Sequence, residues 1–153
     1  MKKVLVATVL TATFLSGCSS VPMESRELTK SVQSFNTPSV DNSGIYVYRK
    51  DTFVGAALKK DILIDGECIG ETAKGVFFYR EVPGNRDHVV STESEFSNND
   101  LTIHTESGEL YFVEQYIKMG VFVGGAGIKQ VDRKVGEKEV LKLNLAKKGK
   151  CSA

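Results

Sequence analysis

Histidine and clustered basic residues are both scarce in this sequence, which argues against metal sites and nucleic-acid binding. The two histidines, His88 and His104, stand in strand-like contexts with no cysteine or carboxylate at metal-ligand spacing. We therefore interpret both as surface residues and expect no metal and no other cofactor. The short basic cluster of Lys147, Lys148 and Lys150 is interpreted as a solvated tail rather than a phosphate or lipid-headgroup contact. Nucleic-acid binding needs clustered Lys and Arg, so no nucleic-acid partner is expected.

Long apolar runs are also absent beyond the first residues of the chain. The run from Val4 to Leu15 follows Lys2 and Lys3 and is about 12 residues long, whereas a membrane-spanning helix takes about 20. A positive start followed by a short apolar stretch is typical of an export signal, which we predict at residues 1–17. Removing those two lysines would leave 18 of the 20 basic residues against 19 acidic ones, a formal charge of −1.

The residues at the end of this predicted signal indicate how the mature protein would be attached to a membrane. Leu15-Ser16-Gly17-Cys18 resembles the lipobox of bacterial lipoproteins. The resemblance implies cleavage between Gly17 and Cys18, and three acyl chains on Cys18, enough for lasting membrane attachment. Ser19 stands where an Asp would imply inner-membrane retention, so the expected location is the periplasmic face of the outer membrane. An ordinary secretory signal is the alternative.

Residues 18–42 are rich in Ser, Thr, Asn and Pro and lack sustained alternation, which favours a flexible tether. A coil of this length would span roughly 27 Å and hold the domain clear of the headgroups. Within it, Ser25 is expected to cap a short helix with Leu28, Val32 and Phe35 on one face.

From residue 43 to residue 153 the apolar residues recur at a period of two, which predicts strands. Asp65-Gly66 and Pro83-Gly84 have the composition of tight turns between them. No convincing helix interrupts the series. The pattern predicts an all-β domain, an antiparallel sandwich or partly open barrel of seven or eight strands. The candidate strands are residues 45–48, 61–64, 67–70, 76–82, 88–93, 101–105, 110–117 and 140–145.

Several of these segments together resemble DUF2846, an uncharacterised family of bacterial lipoproteins. The resemblance covers most of residues 44–145 and transfers no catalytic residue, because that family has no assigned activity. A weaker, architectural resemblance links the strand and turn order to PEGA-type β modules. The segments that carry the family resemblance are residues 46–49, 62–70, 78–84, 91–96, 111–113 and 115–125.

The chain has three cysteines, and lipidation of Cys18 would leave Cys68 and Cys151. An even pair outside the cytoplasm predicts a disulfide. Such a bridge would be worth roughly 4 to 5 kcal/mol in the chain-entropy model. The alternative is a buried Cys68 with a frayed, unpaired Cys151. A nucleophilic cysteine is disfavoured because no histidine lies nearby in the sequence.

Catalytic patterns are weak elsewhere. Glu93, Glu95 and Asp100 form an acidic cluster that could serve glycan hydrolysis, but the following Asn98 and Asn99 favour a solvated loop. We therefore expect no enzyme, but a non-catalytic binding or structural module whose partners are the membrane, through Cys18, and an unknown envelope protein or glycan. The alternative is a periplasmic enzyme, or enzyme inhibitor, acting on cell-envelope material.

A glycine-rich apolar segment, residues 119–128, is the candidate interaction surface. Glycine is costly inside a strand, so Gly120, Gly124, Gly125 and Gly127 indicate positive φ, a bulge or close approach of another backbone. Two interpretations stay open: a kinked connection with its side chains in the core, or an exposed apolar lip that meets a partner. The side chains concerned are those of Met119, Val121, Phe122 and Val123.

Overall fold

A computed structural model describes residues 21–94, 98–120 and 124–152, and within these residues the protein is mostly strand. The all-β prediction is confirmed, with nine strands and two short helices in the described residues. No helix among them is long and apolar enough to cross a membrane. In chain order the elements are α1 Arg26–Val32, β1 Asn42–Arg49, β2 Lys60–Ile64, β3 Glu67–Thr72, β4 Val76–Pro83, β5 Arg86–Glu93, β6 Asn98–Thr105, β7 Leu110–Lys118, β8 Gly125–Val131, α2 Arg133–Val140 and β9 Asn144–Leu145.

The strands form two packed sheets. Sheet 1 has the order β8-β7-β1-β4-β9, and sheet 2 has the order β3-β2-β5-β6. Sheet 2 is antiparallel, as expected, but sheet 1 is mixed, because β1 pairs in parallel with β7 and β4 pairs in parallel with β9. Between β4 and β7 the chain forms two strands of sheet 2, β5 and β6. No tight hairpin therefore joins β7 to its neighbours in sheet 1, and β7 can pair with β1 in parallel.

The centre of the fold is β1, which is buried on both faces. Ile45 and Val47 point towards sheet 2 and join the core between the sheets. Tyr46 and Tyr48 point the other way, into a second apolar cluster covered by the helices. This double burial explains why β1 reads as a continuous apolar run, as strands covered on both faces do.

Aromatic packing fastens the helical layer to sheet 1. The ring of Tyr46 stacks on Phe112 with centroids 4.8 Å apart, and Phe35 meets both rings edge-on. The Tyr46 hydroxyl donates a hydrogen bond of 2.8 Å to the Val32 carbonyl at the end of α1. The buried hydroxyl is thereby satisfied, as burial of a tyrosine requires.

The segment expected to be a flexible tether is instead part of the domain from Val21 onward. Val21 is 7% exposed and belongs to the core between the sheets. Met23 forms an antiparallel bridge with Ala146, and the Glu24 amide donates to the Leu145 carbonyl at 2.9 Å. The tether prediction was wrong for these residues because the edge of β9 offers partners for their backbone groups, which composition does not reveal.

The short helix predicted in this segment is confirmed as α1. The Ser25 hydroxyl accepts from the Leu28 amide at 3.1 Å and caps the helix. Val32 and Phe35 pack against the second apolar cluster, as expected. Leu28 does not share their face and is exposed.

Of the last predicted strand, residues 140–145, only Asn144 and Leu145 form a strand, and Val140 is instead the last residue of a helix. Arg133–Val140 forms α2, and β9 is limited to Asn144–Leu145. The sequence of α2 is mostly polar, with Val135 and Val140 as its apolar side chains, so the helix depends on tertiary packing for its stability. Gly136 makes this packing feasible, because α2 rests on the ring of Phe112 at that point.

Substituting Gly136 with Ala should destabilise the protein. A Cβ there would lie 2.5 Å from Cδ1 of Phe112, and closer still to its Cβ and Cγ. The gain in helix propensity is about 1 kcal/mol, whereas overpacking a core costs about 1 to 3 kcal/mol. Three Phe112 atoms within 2.5 Å of the added Cβ place the cost at the upper end of that range. We therefore expect a net loss of about 1 to 2 kcal/mol in the free energy of unfolding, measured by urea denaturation.

The matched control is Lys134→Ala, at an exposed position of the same helix, which should change stability by less than about 0.5 kcal/mol. A Gly136→Ala protein as stable as the wild type would contradict the close packing of α2 on Phe112.

Candidate functional site

Some of the residues predicted from the sequence to be functional lie outside the part of the chain that the structure describes. Gly17 and Cys18 precede its first residue, and Val121, Phe122 and Val123 fall between its second and third ranges. Met119, the remaining member of the candidate interaction surface, is 93% exposed at the end of β7.

The predicted disulfide between Cys68 and Cys151 is confirmed, with the two Cα atoms 5.9 Å apart. It fastens the C-terminal tail to β3, where the Gly149 amide also donates to the Ile69 carbonyl at 2.9 Å. Further along, the Ser152 amide donates to the buried carboxylate of Asp61 at 3.0 Å. The tail therefore runs from β9, at the edge of sheet 1, across to sheet 2.

The end of the sandwich beyond β1 and β7 is organised by a buried arginine. Arg49 is 2% exposed, and its guanidinium donates to the carbonyls of Leu58, at 2.7 Å, and Gly55. Burial lowers the pKa of Arg49 from its usual value. A charged donor that bonds two loop carbonyls from inside fixes the backbone of residues 50–59.

This loop and the end of β7 together present an exposed apolar surface, which we call the tip: Phe53, Val54, Tyr116 and Met119. Phe53 is 95% exposed, and Val54 and Tyr116 are exposed to lesser degrees. The loop rests on β7, since a Cβ on Gly55 would lie 2.5 Å from Cγ1 of Ile117.

Val54 and Tyr116 also line one small depression at this end, of about 120 Å³. The loop and β7 therefore meet at Val54 and Tyr116.

The tip is bordered by lysines. The ammonium groups of Lys118 and Lys129 lie 5.7 and 5.6 Å from the centroid of the Tyr116 ring, within the range of cation–π attraction. Beneath them, the largely buried carboxylate of Glu114 pairs with Lys50 at 3.1 Å and with Lys129 at 3.5 Å. The tip thus combines apolar side chains with a cationic border.

Neighbouring side chains at this end of the fold leave no room for a Cβ at two glycines of the predicted interaction segment. A Cβ on Gly127 would lie 2.6 Å from Cζ of Tyr116, and one on Gly124 would lie 2.5 Å from Cδ1 of Leu58. Gly125 and Gly127 are buried in β8. Other groups do approach Gly124 and Gly127 closely, but they are side chains and not the backbone expected from the sequence.

Behind the tip lies a buried polar link between the sheets that the strand pattern does not indicate. The Gln115 side chain on β7 is 1% exposed and donates from Nε2 to the Thr92 hydroxyl at 2.8 Å. Its Oε1 contacts the Thr72 hydroxyl, and Thr92 in turn donates to the Asp61 carbonyl at 2.8 Å. Satisfied buried polar groups of this kind fix the relative position of the two sheets.

The surface interpretation holds for His104 but was wrong for His88. His88 is 1% exposed, with Nδ1 2.6 Å from Asp65 Oδ2 and Nε2 2.7 Å from the Pro83 carbonyl. Each ring nitrogen lies within hydrogen-bond distance of an acceptor oxygen, which offsets the cost of burying the ring. Partial burial acts to raise the pKa of Asp65, but hydrogen bonds from His88 and the Val89 amide hold that pKa below its usual value.

Among the described residues, no three or more His, Cys, Asp or Glu side chains are grouped so that they could hold a metal ion. The acidic cluster of the sequence is dispersed: Glu95 lies outside the described residues, and Glu93 pairs with Lys60 at 3.3 Å. Asp100 lies in β6, not in the loop expected from its neighbours, because Asn99 and Asp100 pair with β5.

Replacing Arg49 with Met should loosen the loop of the tip. The change keeps an apolar stem but removes the bonds to Gly55 and Leu58, each worth about 1.5 to 3 kcal/mol from a charged donor. Relief from burying the cation offsets part of this loss. We expect amide exchange in residues 50–59 to accelerate at least tenfold, measured by hydrogen–deuterium exchange.

Arg80→Met is the matched control, because Arg80 makes a half-exposed pair with Glu67 at 2.6 Å away from the tip. It should leave exchange in residues 50–59 unchanged. Equal loop exchange in Arg49→Met and wild type would show that Arg49 does not hold the loop.

Comparison with known proteins identifies the family. The family model "Protein of unknown function (DUF2846)" matches residues 39–126. A protein of Haemophilus influenzae named "Uncharacterized protein" is 53% identical over 135 residues, covering 88% of this chain and 79% of its own length. No solved structure matches the chain. The chain therefore belongs to the DUF2846 family of proteins of unknown function.

Proposed function

We propose that this protein is an envelope lipoprotein, anchored through Cys18 at the periplasmic face of the outer membrane, that binds a partner through its tip. The observation that carries the proposal is an exposed apolar surface on a loop held from inside by Arg49. Apolar side chains that stay exposed together typically mark an interaction site. In this role the domain is a non-catalytic binding module.

The sequence of residues 1–18 and the disulfide of the domain support the proposed anchor. The signal at residues 1–17 and the lipobox-like Leu15-Ser16-Gly17-Cys18 favour export and lipidation. The Cys68–Cys151 disulfide supports an oxidising compartment such as the periplasm. Acyl chains on Cys18 would then make the attachment effectively permanent.

The chemistry of the tip favours a partner with apolar and acidic groups. Phe53 and Met119 supply a rigid aromatic ring and an adaptable thioether, side chains that are enriched at interfaces. Lys50, Lys118 and Lys129 border them and would attract acidic side chains of an envelope protein or acidic groups of a glycan.

Ionisation of the carboxylates favours binding over catalysis on a glycan. A glycosidase needs a general acid whose pKa is raised. In the described residues, the carboxyl groups with a shifted pKa have it lowered; these are Glu27, Asp65, Glu67, Glu81 and Glu139.

The anchor is tested by substituting Cys18 with Ala. The wild-type protein should incorporate labelled palmitate and fractionate with membranes, whereas Cys18→Ala should do neither, because the acylated thiol is gone. The matched control is the double variant Cys68→Ser/Cys151→Ser, which should still be labelled. Recovery of soluble, unlabelled wild-type protein from the periplasm would contradict lipidation.

The tip is tested by placing a photo-cross-linking amino acid at position 53 in intact cells. A discrete cross-linked species is expected at position 53 and none at position 134, an exposed site on α2. Adding Met119→Ser to the protein labelled at position 53 should weaken the cross-link severalfold. Phe53→Ser/Met119→Ser should change the melting temperature little, because both side chains are almost fully exposed. Equal cross-linking at positions 53 and 134 would argue against a binding tip.

A further inference from the structure

An anchor at Cys18 would leave very little chain between the lipid and the folded domain. Val21 is already buried, and the Pro22 carbonyl accepts from the Lys147 amide at 2.8 Å. Each residue spans at most about 3.6 Å, so Cys18 lies within about 11 Å of Val21. At that distance the domain stands beside the headgroups, not clear of them as a long tether would allow.

The direction of the chain at Val21 places the anchor away from the tip. Met23 pairs antiparallel with Ala146, just after β9. Because β9 runs parallel to β4 and β4 antiparallel to β1, the segment from Val21 to Glu24 runs in the same direction as β1. Traced back towards Cys18, the chain therefore heads opposite to the end of β1, where the tip lies.

The surface beside Val21 carries an excess of positive charge. A depression of about 200 Å³ there is lined by Lys147 and Lys150, both exposed and in no ion pair among the described residues, and by one acidic residue, Glu71. Lys148 shares one carboxylate, that of Glu67, with Arg80. We call Lys147, Lys148 and Lys150 the basic edge.

We infer that the basic edge lies against anionic phospholipid headgroups of the membrane that carries the anchor, so that the tip is directed away from the bilayer. The inference rests on the proposed lipidation of Cys18, and it replaces the interpretation of these lysines as a solvated tail. A negatively charged membrane surface attracts nearby lysines by about fivefold in binding constant per residue, within a Debye length. The short link from Cys18 keeps the basic edge within that range.

The test uses the full-length lipidated protein in vesicles of phosphatidylcholine, with or without phosphatidylglycerol. Hydrogen–deuterium exchange should show slower exchange of residues 147–150 on the anionic vesicles and unchanged exchange of residues 50–59. Lys147→Ala/Lys150→Ala should remove most of this protection. The matched control at the tip, Lys118→Ala/Lys129→Ala, should retain it.

A second variant tests the short link itself. Inserting about ten Gly and Ser residues between Ser20 and Val21 should reduce the protection severalfold, because the effective concentration of the membrane falls as the link lengthens. Protection that is unchanged by the insertion, or equal on both kinds of vesicle, would overturn the inference.

Two further measurements separate the sources of failure. Mass spectrometry of the same sample reports acylation: an unmodified Cys18 would overturn the proposed anchor and the inference together. Acylated protein without protection would overturn the inference alone. If Lys147→Ala/Lys150→Ala instead lowered co-sedimentation with isolated peptidoglycan and left vesicle protection intact, the basic edge would serve a glycan and the inference would be wrong.

Discussion

Burial of β1 on both faces is the constraint on which the rest of this structure depends. A strand with Ile45 and Val47 on one face and Tyr46 and Tyr48 on the other needs an apolar layer on each side. Sheet 2 supplies one layer, and the two helices supply the other. The helices are polar and short, so they are stable because they cover β1 and its neighbours, not because of their own propensity.

The same strand determines where the tip forms. The side chain of Arg49, the last residue of β1, lies inside this end of the sandwich. Its guanidinium donates to carbonyls of the loop formed by residues 50–59. A buried cation is costly unless its donors are used, so the loop must close over the guanidinium. That closure leaves Phe53 and Val54 on the outside, and the position of the exposed surface follows from the burial of the arginine.

In the proposed arrangement, the edge of sheet 1 lies between the core and the lipid anchor. Backbone groups of β9 that a sheet edge would leave open are taken up by the segment from Val21 to Glu24, and the tail beyond β9 is fastened to β3 by the Cys68–Cys151 disulfide. The residues that cover this edge are therefore not available as a flexible tether. Under the proposed lipidation, the short distance between Cys18 and the domain follows from how the sheet edge is completed.

The sequence by itself determined the all-β class, most strand positions, the α1 cap at Ser25 and the pairing of Cys68 with Cys151. The strands and the cap follow from local period and turn chemistry, which neighbouring residues encode. The disulfide follows from the two cysteines that remain of the three once Cys18 is set aside. Only the tertiary structure decided the docking of residues 21–24, the helix α2, the burial of His88 and the loop held by Arg49. The first three depend on partners far away in the chain: the edge of β9, the ring of Phe112 and the turn at Asp65. The carbonyls that hold Arg49 are only six and nine residues away, but they belong to an irregular loop whose closure no apolar period reports. The N-terminal segment was predicted to be flexible from its polar composition. An apolar period indicates which face of an element is buried, but it does not indicate which distant backbone the element pairs with.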